Sequence, residues 1–90
     1  MGDLYTDIMT SYQNRSLISF DEVAEHFGFQ SDTLLRKVQA GEVKLPVFRL
    51  DPSSQKSGLR VRVRDFAIYA QHVYNMQVEP QKQEWLMQAA

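Results

Sequence analysis

Ninety residues carrying ten basic and eleven acidic side chains, a net charge of −1 and no cysteine make one domain, long enough to bury a single small core without staples. The composition excludes a disulfide framework and a thiolate metal site, and no apolar run reaches the roughly 18 residues of a membrane span. The polar, acidic start is unlike a signal peptide, so a soluble cytoplasmic protein with no membrane partner is expected.

The near-neutral total hides an uneven distribution. Between Thr33 and Arg64 stand Arg36, Lys37, Lys44, Arg49, Lys56, Arg60, Arg62 and Arg64 against only Glu42 and Asp51. Attraction to a polyanion depends on such a local excess more than on the net charge.

In chain order, Leu4, Tyr5, Ile8, Met9 and Tyr12 recur at helical spacing, which predicts an amphipathic helix over Asp3–Tyr12 ending near Gln13 and Asn14. Residues 15–18 form a short connector, for which an extended conformation stays open. Ser19-Phe20-Asp21-Glu22 then has the Ser-x-x-Glu arrangement of a capping box, in which hydroxyl and carboxylate each satisfy a free first-turn amide. The helix it starts carries an apolar stripe of Val23, Ala24 and Phe27 and stops at Gly28, a residue suited to a left-handed conformation. Ser31 reads as the N-cap of a third helix, with Asp32 in its first turn where the helix dipole favours an anion. Leu34, Leu35 and Val38 point inward together, Thr33, Arg36, Lys37 and Ala40 outward, and Gly41 closes the helix.

Two short helices joined by a glycine-containing turn, the second one basic, have the helix-turn-helix pattern. A hairpin after the third helix makes it winged. Val47–Leu50 and Leu59–Val63 flank a polar loop bracketed by Pro52 and Gly58, which predicts two antiparallel strands. In the second arm Leu59, Val61 and Val63 alternate with Arg60, Arg62 and Arg64, sending one set to the core and the other to a cationic face. Two strands do not stand alone in water, so the hairpin has to lean on helices. Asp65 begins another helix with Phe66, Tyr69, Ala70 and Val73 on one face. Pro80 is placed to start a separate last helix, from Gln81 to about Gln88.

The predicted fold is mainly α with a small β-hairpin, a winged helix-turn-helix. Residues 1–90 form a single DNA-binding domain: 19–64 the helix-turn-helix plus wing, 65–90 C-terminal helices available for dimerisation. Phe20, Phe27, Phe29, Phe48 and Phe66 are assigned to the core. Tyr69, Tyr74 and Trp85 are assigned either to the core or to a dimer contact.

Catalysis is the least supported class. His26 and His72 are isolated, with no second ligand at metal spacing and no carboxylate partner, the glycines form no phosphate loop, and Ser53, Ser54 and Ser57 have no base in sequence context. No cofactor and no metal are expected. The basic residues converge instead on the elements that a winged helix-turn-helix places on one side, the third helix in a major groove and the wing against backbone or minor groove. Arg36, Thr33 and Lys37 are the candidates for base edges, and Lys44, Arg49, Lys56, Arg60 and Arg62 for phosphates, which add affinity without sequence information. One short recognition helix gives a modest interface, which a symmetric homodimer would double.

The run Leu35-Arg36-Lys37-Val38, Ala40-Gly41-Glu42, Leu45-Pro46 with Arg49 after it, Ser54-Gln55-Lys56-Ser57, and Val63-Arg64-Asp65-Phe66-Ala67-Ile68-Tyr69 resembles the pyocin activator (PrtN) family, whose last segment reads Val-x-Asp-Leu-Ala-x-Tyr. The resemblance spans about Leu4 to Tyr74 and differs at the Asp3-Leu4-Tyr5 opening and the Glu84-Trp85-Leu86-Met87 tail. It implies a small double-stranded-DNA-binding regulator of transcription, acting at the nucleoid of a bacterial cell, that activates prophage or bacteriocin-type genes by binding upstream of their promoters. The positions it carries over are Arg36, Lys37, Arg49, Gln55 and Lys56. Two alternatives stay open: an excisionase-like architectural factor that bends DNA, and a protein-interaction module, an antirepressor or co-repressor, that holds a phage repressor or an RNA polymerase subunit.

Overall fold

A computed structural model of the chain describes residues 3–13, 15–54 and 58–89. The elements run α1 (Leu4–Ser11), β1 (Leu17–Ser19), α2 (Phe20–Phe27), α3 (Ser31–Gln39), β2 (Phe48–Arg49), β3 (Leu59–Arg62) and α4 (Val63–Ala89). The protein is mainly helical with a small antiparallel sheet. No helix among the described residues is long and apolar enough to cross a membrane.

The sheet has three strands in the order β1-β3-β2, where the sequence pattern predicts two. Leu17 and Ile18, assigned to a connector from the sequence, form the third together with Ser19. Leu17, Ile18 and Ser19 pair with Arg62, Val61 and Arg60, so Ile18 and Val61 share one face and are both fully buried. The β1 edge gives the hairpin the extra support that two strands lack.

The register also overturns the assignment of Phe48 to the core. Phe48 pairs with Arg60 and Arg49 with Leu59. Residues directly opposite share a face, so Phe48 goes with the arginines and remains 38% exposed. Val47 turns inward beside Leu59 in its place. Phe29 is exposed as well, lying in the turn after α2 with its ring stacked on Phe27, 6.2 Å between centroids.

The core gathers Ile18, Phe20, Val23, Leu34, Val61, Val63 and Phe66 from α2, α3, the sheet and α4. Each fully buried aliphatic among them contributes about 1.5–3 kcal/mol relative to exposure. α1 lies against α4, covering the core with Ile8, Met9 and Tyr12, and the Tyr5 amide donates to Gln71 Oε1 at 2.9 Å.

Local signals explain the helix ends. Ser19 Oγ accepts from the Glu22 amide at 3.2 Å, half of the expected capping box. The Glu22 carboxylate is not the other half: it takes the Arg15 guanidinium at 3.2 Å. Both α2 and α3 close on a glycine in the left-handed region, Gly28 at φ 77° and Gly41 at φ 78°. In each, the glycine amide bonds three residues back (Glu25, Val38) and the next amide five back (Ala24, Lys37), the paired bonds that use up orphan carbonyls at a helix end.

Three predicted boundaries differ. Gln30, not Ser31, is the N-cap of α3 and has no side-chain capping bond, because the Ser31 hydroxyl donates to the Asp21 carboxylate and ties α3 to α2. α4 begins at Val63 rather than Asp65, within the usual fraying of a helix start. It then continues through Pro80 to Ala89 as one helix where two are predicted. Proline removes one backbone bond and crowds the preceding turn, yet the helix runs on through Pro80, which is exposed, as is Met76 four residues before it. At 1.5 Å per residue α4 is about 40 Å long, most of the 58 Å longest dimension of the molecule.

Candidate nucleic-acid interface

The helical wheel of α3 locates its outer surface. Leu34 is its buried residue, and at 100° per residue the positions farthest from it are Asp32, Arg36, Gln39 and Ala40. All four are exposed. Thr33 and Lys37, predicted to share the outer face with Arg36, lie on its flank and are half-buried. Lys37 is also engaged locally: its Nζ is 3.5 Å from Glu42 Oε2 and 5.3 Å from the centroid of the Phe29 ring. Gln39 and Asp32 are not among the residues that the sequence pattern singles out, although the i, i+4, i+7 spacing 32-36-39 is itself a face signal.

Beside this surface lies a cleft of about 260 Å³, bordered by Ser31, Asp32 and Leu35 of α3, by Ser19, Phe20 and Asp21 at the start of α2, and by Arg49, Gly58, Leu59 and Arg60 of the hairpin. The N-terminal half of α3 and two of the hairpin arginines are therefore neighbours. Arg49 and Arg60 reach the cleft from opposite faces of the sheet, as their register requires. Arg60 is half-buried, curled back so that Nη1 donates to the Leu59 carbonyl at 3.1 Å. A side chain on Gly58 would meet that guanidinium at 2.6 Å and would shift it from this position. Arg62 is exposed on β3 opposite Leu17.

Lys44 is exposed but belongs to another surface, a depression of about 420 Å³ that it borders with Glu42, Ile68, His72 and Met76. Gln55 and Lys56, expected from the sequence in the hairpin loop, lie outside the described residues.

The charges at the cleft are mixed, since Asp21 and Asp32 stand on its rim. Asp21 is occupied by Ser31. Arg36, Arg60 and Arg62 have no carboxylate partner among the described residues, which leaves their positive charge available to an outside anion. Every ionisable side chain among these residues is at least partly exposed. The two histidines stand apart: His26 Nε2 bonds the Tyr12 hydroxyl at 2.9 Å, and His72 borders the depression near Lys44.

The family model of the pyocin activator protein PrtN matches residues 6–75. The chain belongs to the PrtN family. The matched span holds α2, α3, the hairpin, most of α1 and the first half of α4, and stops short of the exposed far turns of α4. No curated protein and no solved structure matches this PrtN-family chain.

Proposed function

We propose that this PrtN-family protein is a sequence-specific double-stranded DNA-binding activator of transcription, built as a winged helix-turn-helix and working as a homodimer on prophage or bacteriocin-type genes. α2 and α3 form the helix-turn-helix and β2–β3 the wing. The observation that carries this is the shared border of α3 and the hairpin at one cleft, where Arg49 and Arg60 stand beside the helix on which Arg36 is exposed. At nine residues α3 is about 14 Å long, and the diameter of a helix with its side chains, about 10–12 Å, fits a major groove roughly 12 Å wide.

In this reading α3 enters the groove and Arg49, Arg60 and Arg62 take phosphates on either side of it; Lys44, on the separate depression, is left out of the contact, and the roles that the family resemblance carries to Gln55 and Lys56 are part of the proposal. Thr33 and Lys37 flank the groove-facing strip. The far half of α4, where every side chain from Glu79 to Met87 is exposed, is the element proposed to join two copies. The family, named for an activator and not for a catalyst, supports a regulatory role.

The test is binding to host-genome fragments followed by footprinting, repeated as salt is raised. Specific fragments and an affinity that falls linearly in log salt are expected. An affinity for every duplex that stays flat while salt rises severalfold refutes the DNA reading.

A further inference from the structure

We infer that the base-reading surface of α3 is the strip Asp32, Arg36 and Gln39, and that it reads a short run of base pairs by contacts to cytosine, guanine and adenine respectively. This rests on the proposed DNA binding and adds which residues set the sequence preference. These three are exposed together on the side of the helix away from buried Leu34, and none of their side chains has a hydrogen-bond or ion-pair partner among the described residues. Thr33 and Lys37 are half-buried, and Lys37 is already held between Glu42 and the Phe29 ring.

The chemistry of the strip is graded along the helix. A carboxylate accepts from cytosine N4, a guanidinium donates two bonds to guanine O6 and N7, and a carboxamide matches adenine N6 and N7. From Asp32 to Gln39 the helix rises about 10 Å, close to three base steps of about 3.4 Å each. Asp32 also stands at the cleft with Arg49 and Arg60. A carboxylate there weakens attraction to any phosphate, and on a DNA-facing surface it acts as a discriminator, accepting from cytosine and repelling bases that present acceptors.

The experiment selects bound duplexes from a random-sequence pool with the full chain and with Asp32→Ala, Thr33→Ala, Arg36→Ala, Lys37→Ala and Gln39→Ala, each first checked for cooperative melting. Asp32→Ala and Gln39→Ala are each expected to flatten the preference at one base pair, on opposite sides of the one flattened by Arg36→Ala, with discrimination there falling roughly 5- to 150-fold. Thr33→Ala and Lys37→Ala are expected to keep the pattern. If Arg36→Ala flattens a position while Asp32→Ala and Gln39→Ala flatten none, the strip assignment fails and DNA reading by α3 stands. If the unaltered chain itself selects no sequence, the proposed function fails and this inference goes with it.

Discussion

Phe48 stands directly across from Arg60 in the antiparallel register, so a large aromatic ring shares the outer face of the sheet with a cation. The opposite face holds Ile18 and Val61, paired and fully buried. Burial thus ranks these residues against their size. Ile18→Ala is expected to cost about 2–5 kcal/mol, the range for a truncated core aliphatic, while Phe48→Ala costs about 1 kcal/mol or less, like other surface changes. Urea unfolding of the two variants checks this, and equal losses would mean that the register is shifted by one residue.

Strand phase is where sequence reading loses its grip. Alternation in Leu59–Val63 identifies the buried face of β3, because the strand is long enough to show its period. β2 has two paired residues, too few to carry a phase of its own, and its phase is set by hydrogen bonds to β3. Gly28 and Gly41 are readable because a left-handed closure favours glycine strongly. Ser31 misleads because a serine beside a helix start serves equally well as a cap or as a tether, and only the position of Asp21 decides between them. Pro80 misleads because a proline costs a helix one backbone bond and some crowding without fixing where the helix ends, and α4 runs on through it. On α3 the inward set is legible from Leu34, but the division of the outer residues into a facing strip and two flanks depends on how α2 and the hairpin close around it.

Acid sensitivity is expected to centre partly on α1. The Thr6 backbone amide, with a further contribution from the Thr6 side chain, holds the Asp3 carboxyl below its ordinary value of 3.8, through a bond of 2.8 Å to the amide. A carboxyl depressed by folding stabilises the fold above its unfolded value, and that contribution is lost as pH falls through the folded value. Asp51, lowered by Ser53, acts in the same direction. Melting temperatures recorded from about pH 6 down to about pH 2 are expected to fall less steeply below 3.8 for Asp3→Asn, which keeps a capping oxygen but cannot titrate. An identical acid limb in both proteins would remove Asp3 from the account.

Under the proposed function the arginines are expected to separate by role. Arg36→Ala is expected to cost roughly 1–3 kcal/mol at a specific site and to relax the preference there, whereas Arg62→Ala lowers the salt slope by about one and leaves the preference intact. Arg60→Ala is expected to do the same as Arg62→Ala, with a small added loss of stability because its guanidinium also caps the Leu59 carbonyl. Titrations at three salt concentrations distinguish these outcomes. Unchanged slopes for both hairpin variants would remove the wing from the interface.

The far half of α4 is the last point at which fold and assembly come apart. The helix enters the core through Val63, Phe66 and Ala67 and lines a groove of about 760 Å³ with α1 as far as Val78, after which it is exposed through Met87. Trp85 is 75% exposed, and Leu86 and Met87 are similar. Ending the chain after Val78 is therefore expected to leave a cooperatively melting domain, with stability changed by about 1 kcal/mol or less. If these turns join two copies, the same truncation, and Trp85→Ala in the full chain, will shift sedimentation toward the monomer. Both will also weaken binding to a two-half-site operator far more than to a single half-site, since only a dimer gains from linking two contacts. Loss of cooperative melting on truncation would show instead that Trp85 belongs to the fold. A full chain that sediments as a monomer at every concentration would take the joining role away from α4.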